Sequence, residues 1–417
     1  MRPRQLPLLL SAILAACQAP VDDRSSPLIR MEDGVRIVEN RRLTTDSVSW
    51  TFDSIPQVVI GVVEGPPEYL IGRLAGYHRL GDGSIVIGDG IAQTIRRYNT
   101  GGRFIEAYGG SGDGPGEYRV LTTIAGHPGD SVVAIDYEGN RATILDPQLN
   151  FVRSHRIRLQ DGREESVFTP DGVADISADG HLLMYDYLNV CGSNRMGGFC
   201  EDSMTLFRTD MSGVPMARLG RFVYRRSESR LVRPGRAVSW GEPHPQVFRR
   251  SMGNRTYYAD ARRFEILIYD GDGELETIVR APYTRYDYTR SDFWPRPGPS
   301  GNDTAMESMM RTLEEAQSSA AIPDSLPQFS DFQVDESGNM WVAEFRPAGR
   351  LATDWPRWYV FSPEGLLIHI VRTPPEFKRP AVPWLTAHPQ IGDDFGLTER
   401  RDAYGVESVV MYRLTKG

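Results

Sequence analysis

An apolar run that stops at an acid recurs six times along this 417-residue chain, and it constrains the fold more than any other feature. The copies are IVIGD at Asp89, VVAID at Asp136, LLMYD at Asp186, TYYAD at Asp260, MWVAE at Glu344 and FGLTE at Glu399. Each run is short, rich in β-branched or aromatic residues, and bounded by Gly, Asn or Asp turns, which marks antiparallel strands joined by tight hairpins. A second apolar run follows each acid. In five copies a turn comes next (NTGG, DPQLN, DMSG, DGDG, SPEG), and then an outer strand.

The acids lie 47, 50, 74, 84 and 55 residues apart, so a unit of roughly 45 residues carries insertions in its later copies. That period, with several short strands per copy, is the signature of a β-propeller, in which four-stranded sheets pack around a central channel. One blade leaves both its apolar faces open; a closed ring of neighbours covers them. The expected fold is therefore all-β, a six-bladed propeller over residues 34–417. The sixth copy ends at Gly417 before its outer strand, and Gly34 to Asn40 (GVRIVEN) is the expected donor of the missing strand. Two more strands are expected within Ser47 to Gly65. A helix between the fourth and fifth copies is expected from the capping pair Thr304 and Glu307, the stripe Met306, Met309, Met310 and Leu313, and the stop at Pro323.

Arg2 and Arg4 precede the apolar stretch Leu6 to Ala16, too short to span a bilayer, so residues 1–16 read as a secretory signal. Cys17 directly after Leu14-Ala15-Ala16 resembles the bacterial lipobox, which implies cleavage before Cys17 and lipidation of its thiol. Residues 17–33 are then a tether, and Gln18 resembles the sorting signal of outer-membrane lipoproteins, facing periplasm or surface. The mature chain would carry a net charge of about −10, against −8 for the whole, and an acidic surface repels nucleic acid. In an exported protein Cys191 and Cys200 are the expected disulfide, clamping a loop of the third copy. Nine residues apart and without a neighbouring histidine, they lack the ligands for zinc.

The string Gly109 to Tyr118 (GGSGDGPGEY) lacks the Gly-Lys-Ser/Thr and the helix of a phosphate loop. It resembles the link between blades in NHL-type propellers and is similar to the pattern in bacterial six-bladed β-propeller lipoproteins (NHL/TolB-like). LPQFSDFQVDESGNMWVAEF, WYVFSPEGLL and the terminal IGDDFGLTERRDAYGVESVVMYRL extend that resemblance over nearly the whole mature chain. It implies a six-bladed ring in which the string passes from one blade's outer strand to the next blade's inner strand.

No HExxH, GxSxG, CxxC or Walker loop is present, and the seven histidines are scattered singly. No catalytic residue and no metal site is assigned. The six repeated acids are expected to accept backbone N–H groups at the turn after the second strand. A hard-cation cage, with Ca²⁺ held in the channel, is the competing reading. At Asp270 to Glu274 the twelfth loop position is Ala281, so a hairpin is expected there and not an EF-type calcium site. Arg221, Arg225, Arg226, Arg230, Arg233 and Arg236 crowd what reads as a loop between the third and fourth copies, a basic patch suited to a carboxylate or sulfated glycan. The expected function is a monomeric, lipid-tethered, non-catalytic module that binds a peptide, glycan or envelope protein. The alternative is a metal-dependent hydrolase or lyase, lactonase-like or amidating-lyase-like, acting in the channel.

Overall fold

A computed structural model describes residues 26–45, 50–158, 172–188, 198–233, 236–241, 247–282, 327–346, 355–377, 388–402 and 404–416. The chain is all-β. Its N-terminal strands are β1 (Leu28–Glu32), β2 (Val35–Glu39), β3 (Thr51–Phe52) and β4 (Val58–Ile60). The repeated copies then follow as antiparallel meanders. The first holds β5 (Leu74–Arg79), β6 (Ile85–Asp89), β7 (Thr94–Tyr98) and β8 (Phe104–Gly109), and the second β9 (Leu121–His127), β10 (Ser131–Asp136), β11 (Arg141–Leu145) and β12 (Phe151–Arg156). The third holds β13 (Val173–Ser177), β14 (His181–Leu188), β15 (Gly198–Thr209) and β16 (Pro215–Arg233), with β17 (Arg236–Gly241) added at its edge. The fourth holds β18 (Val247–Met252), β19 (Arg255–Asp260), β20 (Glu265–Tyr269) and β21 (Leu275–Arg280). β22 (Phe329–Val334), β23 (Met340–Glu344), β24 (Arg357–Phe361) and β25 (Leu367–Arg372) form the fifth. β26 (Gln390–Ile391), β27 (Phe395–Arg401) and β28 (Glu407–Thr415) form the last, and β4 pairs antiparallel with β28 as its fourth strand.

Hydrophobic clusters sit between successive meanders, as expected where each sheet has two apolar faces to bury. Val86, Ile95, Ile124 and Val132 join the first to the second, and Ile144, Ile176 and Met184 the second to the third. Leu206 meets Tyr258, Phe264 meets Phe361, and Trp358 meets Val410 across the next seams. Ile60, Leu397 and Val409 pack on Ile87 and Tyr98, which brings the last meander back to the first. Through the first five meanders the first strand meets the next: β5 pairs parallel with β9, β9 neighbours β13, β13 neighbours β18, and β18 neighbours β22. At the β5/β9 contact the backbones touch. A Cβ on Gly76, whose φ is +142°, would stand 2.7 Å from the Ile124 backbone nitrogen. The result is a propeller-like all-β fold.

Three expectations need correction. GVRIVEN does not complete the last meander, because β2 adds in parallel to β21 of the fourth. Asn40 fixes it there: its backbone N–H donates to Arg280 O at 2.9 Å, its Nδ2 donates to Gly365 O at 2.9 Å, and its Oδ1 accepts from Leu367 N at 2.9 Å. The mending strand is β4, from the segment whose strands were expected along the first blade or across one face. Residues 28–32, expected within the tether, form β1 against β2. Finally, the arginine-rich segment is no loop: Arg221, Arg225, Arg226, Arg230 and Arg233 lie in β16 and Arg236 opens β17. The helix around Thr304, Cys17 and the signal lie outside the described residues. So does Cys191, while Cys200 is a buried residue of β15.

Candidate functional site

The repeated acids do not share one role. Asp89, buried, accepts from the backbone N–H of Ile91 (2.9 Å) and Ala92 (3.1 Å) and from Arg96 (3.3 Å). Asp136, also buried, accepts from Val120 N (3.0 Å), Gly139 N (3.2 Å) and Arg141 (3.1 Å). Asp260 accepts from Arg262 N at 3.0 Å and pairs with its guanidinium at 2.7 Å. In these three the strand ends at the acid, so the carboxylate meets the unpaired N–H groups of the following turn. At Asp186 and Glu399 the strand runs on, while Glu344 ends its strand but takes up arginines instead. Asp186 is exposed within β14, opposite Thr205, and Glu399 lies inside β27 opposite Val409, its backbone N–H donating to Tyr77 Oη. Glu344 faces Arg357 (3.6 Å) and Arg346 (3.7 Å). Among the described residues no group of three or more His, Cys, Asp or Glu is arranged to hold a metal ion.

A recurrent acceptor that the sequence reading passed over stands one hairpin later. Asn99, Asp146, Asp210 and Asp270 each accept two backbone N–H groups, from the second and fourth residues after them. Asp270 is thus a hairpin residue, its Oδ1 taken by Asp272 N and Glu274 N.

The polar side chains that come together do so on the meeting first strands. Arg250 of β18 is buried; its Nε donates to Gln333 Oε1 of β22 at 3.1 Å, and Nη1 donates to Arg249 O at 2.6 Å. Nη2 lies 3.2 Å from His388 Nδ1, which must be the acceptor because a guanidinium only donates. Asp175 of β13 accepts from Ser251 N at 2.7 Å and Ile176 N at 3.0 Å. Burial raises its carboxyl above the ordinary aspartate value, and the Arg250 charge opposes that rise. Asp331 of β22 accepts from Phe332 N and Gln333 Nε2 at 2.7 and 3.0 Å.

Arg249, next along β18, turns to the other side and meets the third meander. Its guanidinium carbon lies 5.4 Å from the ring centre of Tyr185 (β14) and 5.6 Å from that of Tyr224 (β16), and those rings stack at 5.8 Å. Nη1 lies 3.0 Å from Met204 Sδ. Arg249 and both tyrosines are half-buried, and Met204 is buried. Among the described residues no carboxylate lies within ion-pair distance of Arg249, whereas Arg208, Arg262 and Arg280 pair with Asp179, Asp260 and Glu265 at 2.6 to 2.8 Å. A cation held over aromatic faces is attracted there by the ring quadrupoles. The basic run marked this neighbourhood in the sequence, but nothing local joins Tyr185, Tyr224 and Arg249, which come from three strands.

Beyond the end of β14, β15, β16 and β17 continue as a three-stranded ribbon. Arg225 and Arg226 stand opposite Asp202 and Glu201, whereas Arg230 stands opposite Val238 and Arg233 opposite Arg236. A separate opening of about 550 Å³, lined among others by Met252, Asn254, Arg255, Tyr257, Glu336 and Pro363, is internally compensated. There Arg255 pairs with Glu276 at 2.7 Å and donates to Pro363 O at 3.1 Å.

No helix among the described residues is long and apolar enough to cross a membrane. No family model matches the chain, and no curated protein does. Among solved structures it is similar to a Bacteroides fragilis protein named as a putative exported protein (13% identity, TM-score 0.44, covering 89% of this chain and 98% of the other). It is also similar to a member of the DUF4221 family from Bacteroides vulgatus (8%, 0.43, 88% and 99%). Virginiamycin B lyase from Staphylococcus aureus follows at 10%, 0.34, 86% and 87%. At these values none of the three passes an activity to this chain.

Proposed function

We propose that this chain is a six-bladed β-propeller, lipid-anchored through Cys17 to the cell envelope at the outer membrane, and that it acts as a non-catalytic binding module. The ring reading is supported by clusters that bridge each meander to its successor and by β4, which supplies the last meander's fourth strand. The anchor reading rests on Leu14-Ala15-Ala16-Cys17, and the Cys191–Cys200 disulfide is part of the same exported-protein reading.

One observation carries the binding function: Arg249 is a half-buried cation set among tyrosines, with no carboxylate within ion-pair distance among the described residues, beside a cluster in which Arg250 bonds both Gln333 and His388. Groups tied to each other hold shape; a cation left to aromatic faces receives a ligand. The test uses the mature chain with Cys17 replaced by serine, immobilised and exposed separately to envelope glycans and envelope peptides, with its metal content measured. A ligand recovered chemically intact, and lost with Arg249→Ala, is the expected result. Stoichiometric bound metal together with cleavage of the ligand would overturn it in favour of a channel hydrolase or lyase. For the anchor, Cys17→Ala should release the protein from the membrane fraction and abolish incorporation of labelled palmitate.

A further inference from the structure

We infer that the face carrying the β4–β5 link, the β6–β7 turn and the β27–β28 turn rests on a neutral lipid surface, with Val62, Val63, Leu70, Ile91 and Tyr404 as its contacts. This rests on the Cys17 anchor reading and adds the orientation in which the anchored chain meets its membrane.

The patch is apolar and points outward. Ile91, in the β6–β7 turn, is 67% exposed, Val63 of the link 64%, and Tyr404, in the β27–β28 turn, 91%, with Val62 and Leu70 exposed beside them. Close contacts hold the three pieces together. A Cβ on Gly72 would stand 2.7 Å from Ile91 Cβ, and one on Gly61 would stand 2.7 Å from the carbonyl oxygen of Glu407, the first residue of β28. Leu74 N donates to Glu407 Oε2 at 2.5 Å. Exposed apolar side chains gathered in this way mark a surface that meets an apolar partner.

The backbone beneath them is already satisfied from inside. Val62 N donates to Tyr69 O (3.1 Å), Leu70 N to Pro67 O (3.2 Å), Ile91 N to Asp89 Oδ1 (2.9 Å) and Tyr404 N to Asp402 Oδ1 (2.8 Å). Arg96 donates to Leu70 O at 2.8 Å and Tyr98 Oη to Glu68 O at 2.5 Å, which fixes the link. Tips bonded in this way enter a lipid interface without stranding a donor. Tyr404 suits the boundary, its ring toward the acyl chains and its hydroxyl toward the headgroups.

The tether decides which surface covers the patch. Leu28 stands opposite Glu39, Glu39 beside Arg280, and Arg280 opposite Glu265, the first residue after the β19–β20 turn. Leu28 therefore lies at the end of the fourth meander that carries the counterpart of the Ile91 turn, and the chain from Cys17 joins the fold on the face of the patch. Cys17 stands eleven residues before Leu28, at most about 37 Å of extended chain. A lipid held so near keeps this face against the bilayer, and the β5–β6 and β18–β19 hairpins away from it. Charge selects the lipid. Residues 61–72 hold Glu64 and Glu68 and no Lys or Arg, and Asp402 stands beside Tyr404, so anionic headgroups are repelled and zwitterionic ones accepted.

The experiment uses the lipidated mature chain in phosphatidylcholine vesicles doped with a photoactivatable lipid. Mass spectrometry locates the labelled peptides and reads the lipid on Cys17, and hydrogen–deuterium exchange follows the same peptides. Labelling is expected on peptides holding residues 62–70, 91 and 404, and not on those holding residues 81–83 or 253–254. Val63→Asp with Ile91→Asp should lower it roughly tenfold or more at an unchanged melting temperature, the chain staying on the vesicles through Cys17. Should that variant fail to fold, Val63→Ser with Tyr404→Ser should give a loss in the same direction. An equal mixture of phosphatidylcholine and phosphatidylglycerol should also lower the labelling. Equal labelling of both faces, labelling unchanged in the variants or raised by the anionic lipid, or no labelling of a chain whose Cys17 carries lipid would overturn the docking and leave the anchor reading standing. Slowed exchange at the patch without lipid labelling would show that a protein, a second copy included, covers it, and would overturn the inference as well. A Cys17 without lipid would overturn the anchor reading and this inference together.

Discussion

The seam between the first and second meanders and the seam between the third and fourth are built from the same repeat and end up doing different work. At the first, the acids that end the second strands are buried and bonded, with Asp89 on Arg96 and Asp136 on Arg141. Gln93 latches the two meanders, accepting from Leu121 N at 2.6 Å and donating to Gly90 O at 2.6 Å. At the other seam the equivalent acid, Asp186, is exposed because β14 runs two residues past it, and the cation nearby, Arg249, sits against tyrosines. A repeat kept intact closes a ring. Where it is extended, the acid is carried out of the turn and, among the described residues, pairs with none of the backbone groups that hold its counterparts.

The largest expected contrast is between the two acids themselves. Asp136→Ala strands buried N–H groups and the Arg141 charge and should cost about 3 to 5 kcal/mol, whereas Asp186→Ala should stay within about 0.5 kcal/mol. Urea denaturation of both decides it; similar losses would mean that the two seams are equivalent after all.

Next in size is a pH effect confined to the first seam. His78 of β5 is packed against Gly126 of β9, and burial lowers its pKa to about 4, with Asp130 opposing. Below pH 6.5 the unfolded chain takes up a proton that the folded chain refuses, so stability is lost as pH falls from about 6.5 to 4. The loss is on the order of 3 kcal/mol. His78→Phe should remove that slope between pH 7 and 4.5, and an unchanged slope would place the acid sensitivity elsewhere.

Backbone crowding gives a smaller effect. Gly76→Ala drives a methyl into the Ile124 backbone and should cost about 2 to 3 kcal/mol. Gly253→Ala, at a hairpin with open space around it, should cost about 1 kcal/mol from its positive φ alone. Smallest should be Arg249→Ala, below about 1 kcal/mol by thermal melting, because Arg249 has no ion pair to lose among the described residues. A collapse of the fold in that variant would make Arg249 a structural residue and the two seams alike.

The strands of the repeat were legible because hairpin turns and apolar runs are local signals, and the acids Asp89, Asp136 and Asp260 follow from strand ends visible in sequence. GVRIVEN was legible as a strand but not as a neighbour. Its alternation tells that Ile37 and Val38 can pack; only Asn40, bonded between Arg280 and Gly365, decides which edge it joins. β4, three residues long, gave too short a pattern to mark it as the mending strand. The arginine run was visible, yet its strand character lay in the short apolar run Phe222-Val223-Tyr224, which the charges around it obscured. The tyrosine setting of Arg249 was out of reach, since it is assembled from strands up to 64 residues apart in the chain.

Hydrogen–deuterium exchange on the mature chain, with and without the envelope ligand that the immobilised chain recovers, tests the difference between the seams most directly. Slowed exchange confined to residues 183–188, 219–233 and 247–252, with the first and second meanders unchanged, is the result expected. Protection centred on residues 74–145, or spread evenly over all the meanders, would contradict it.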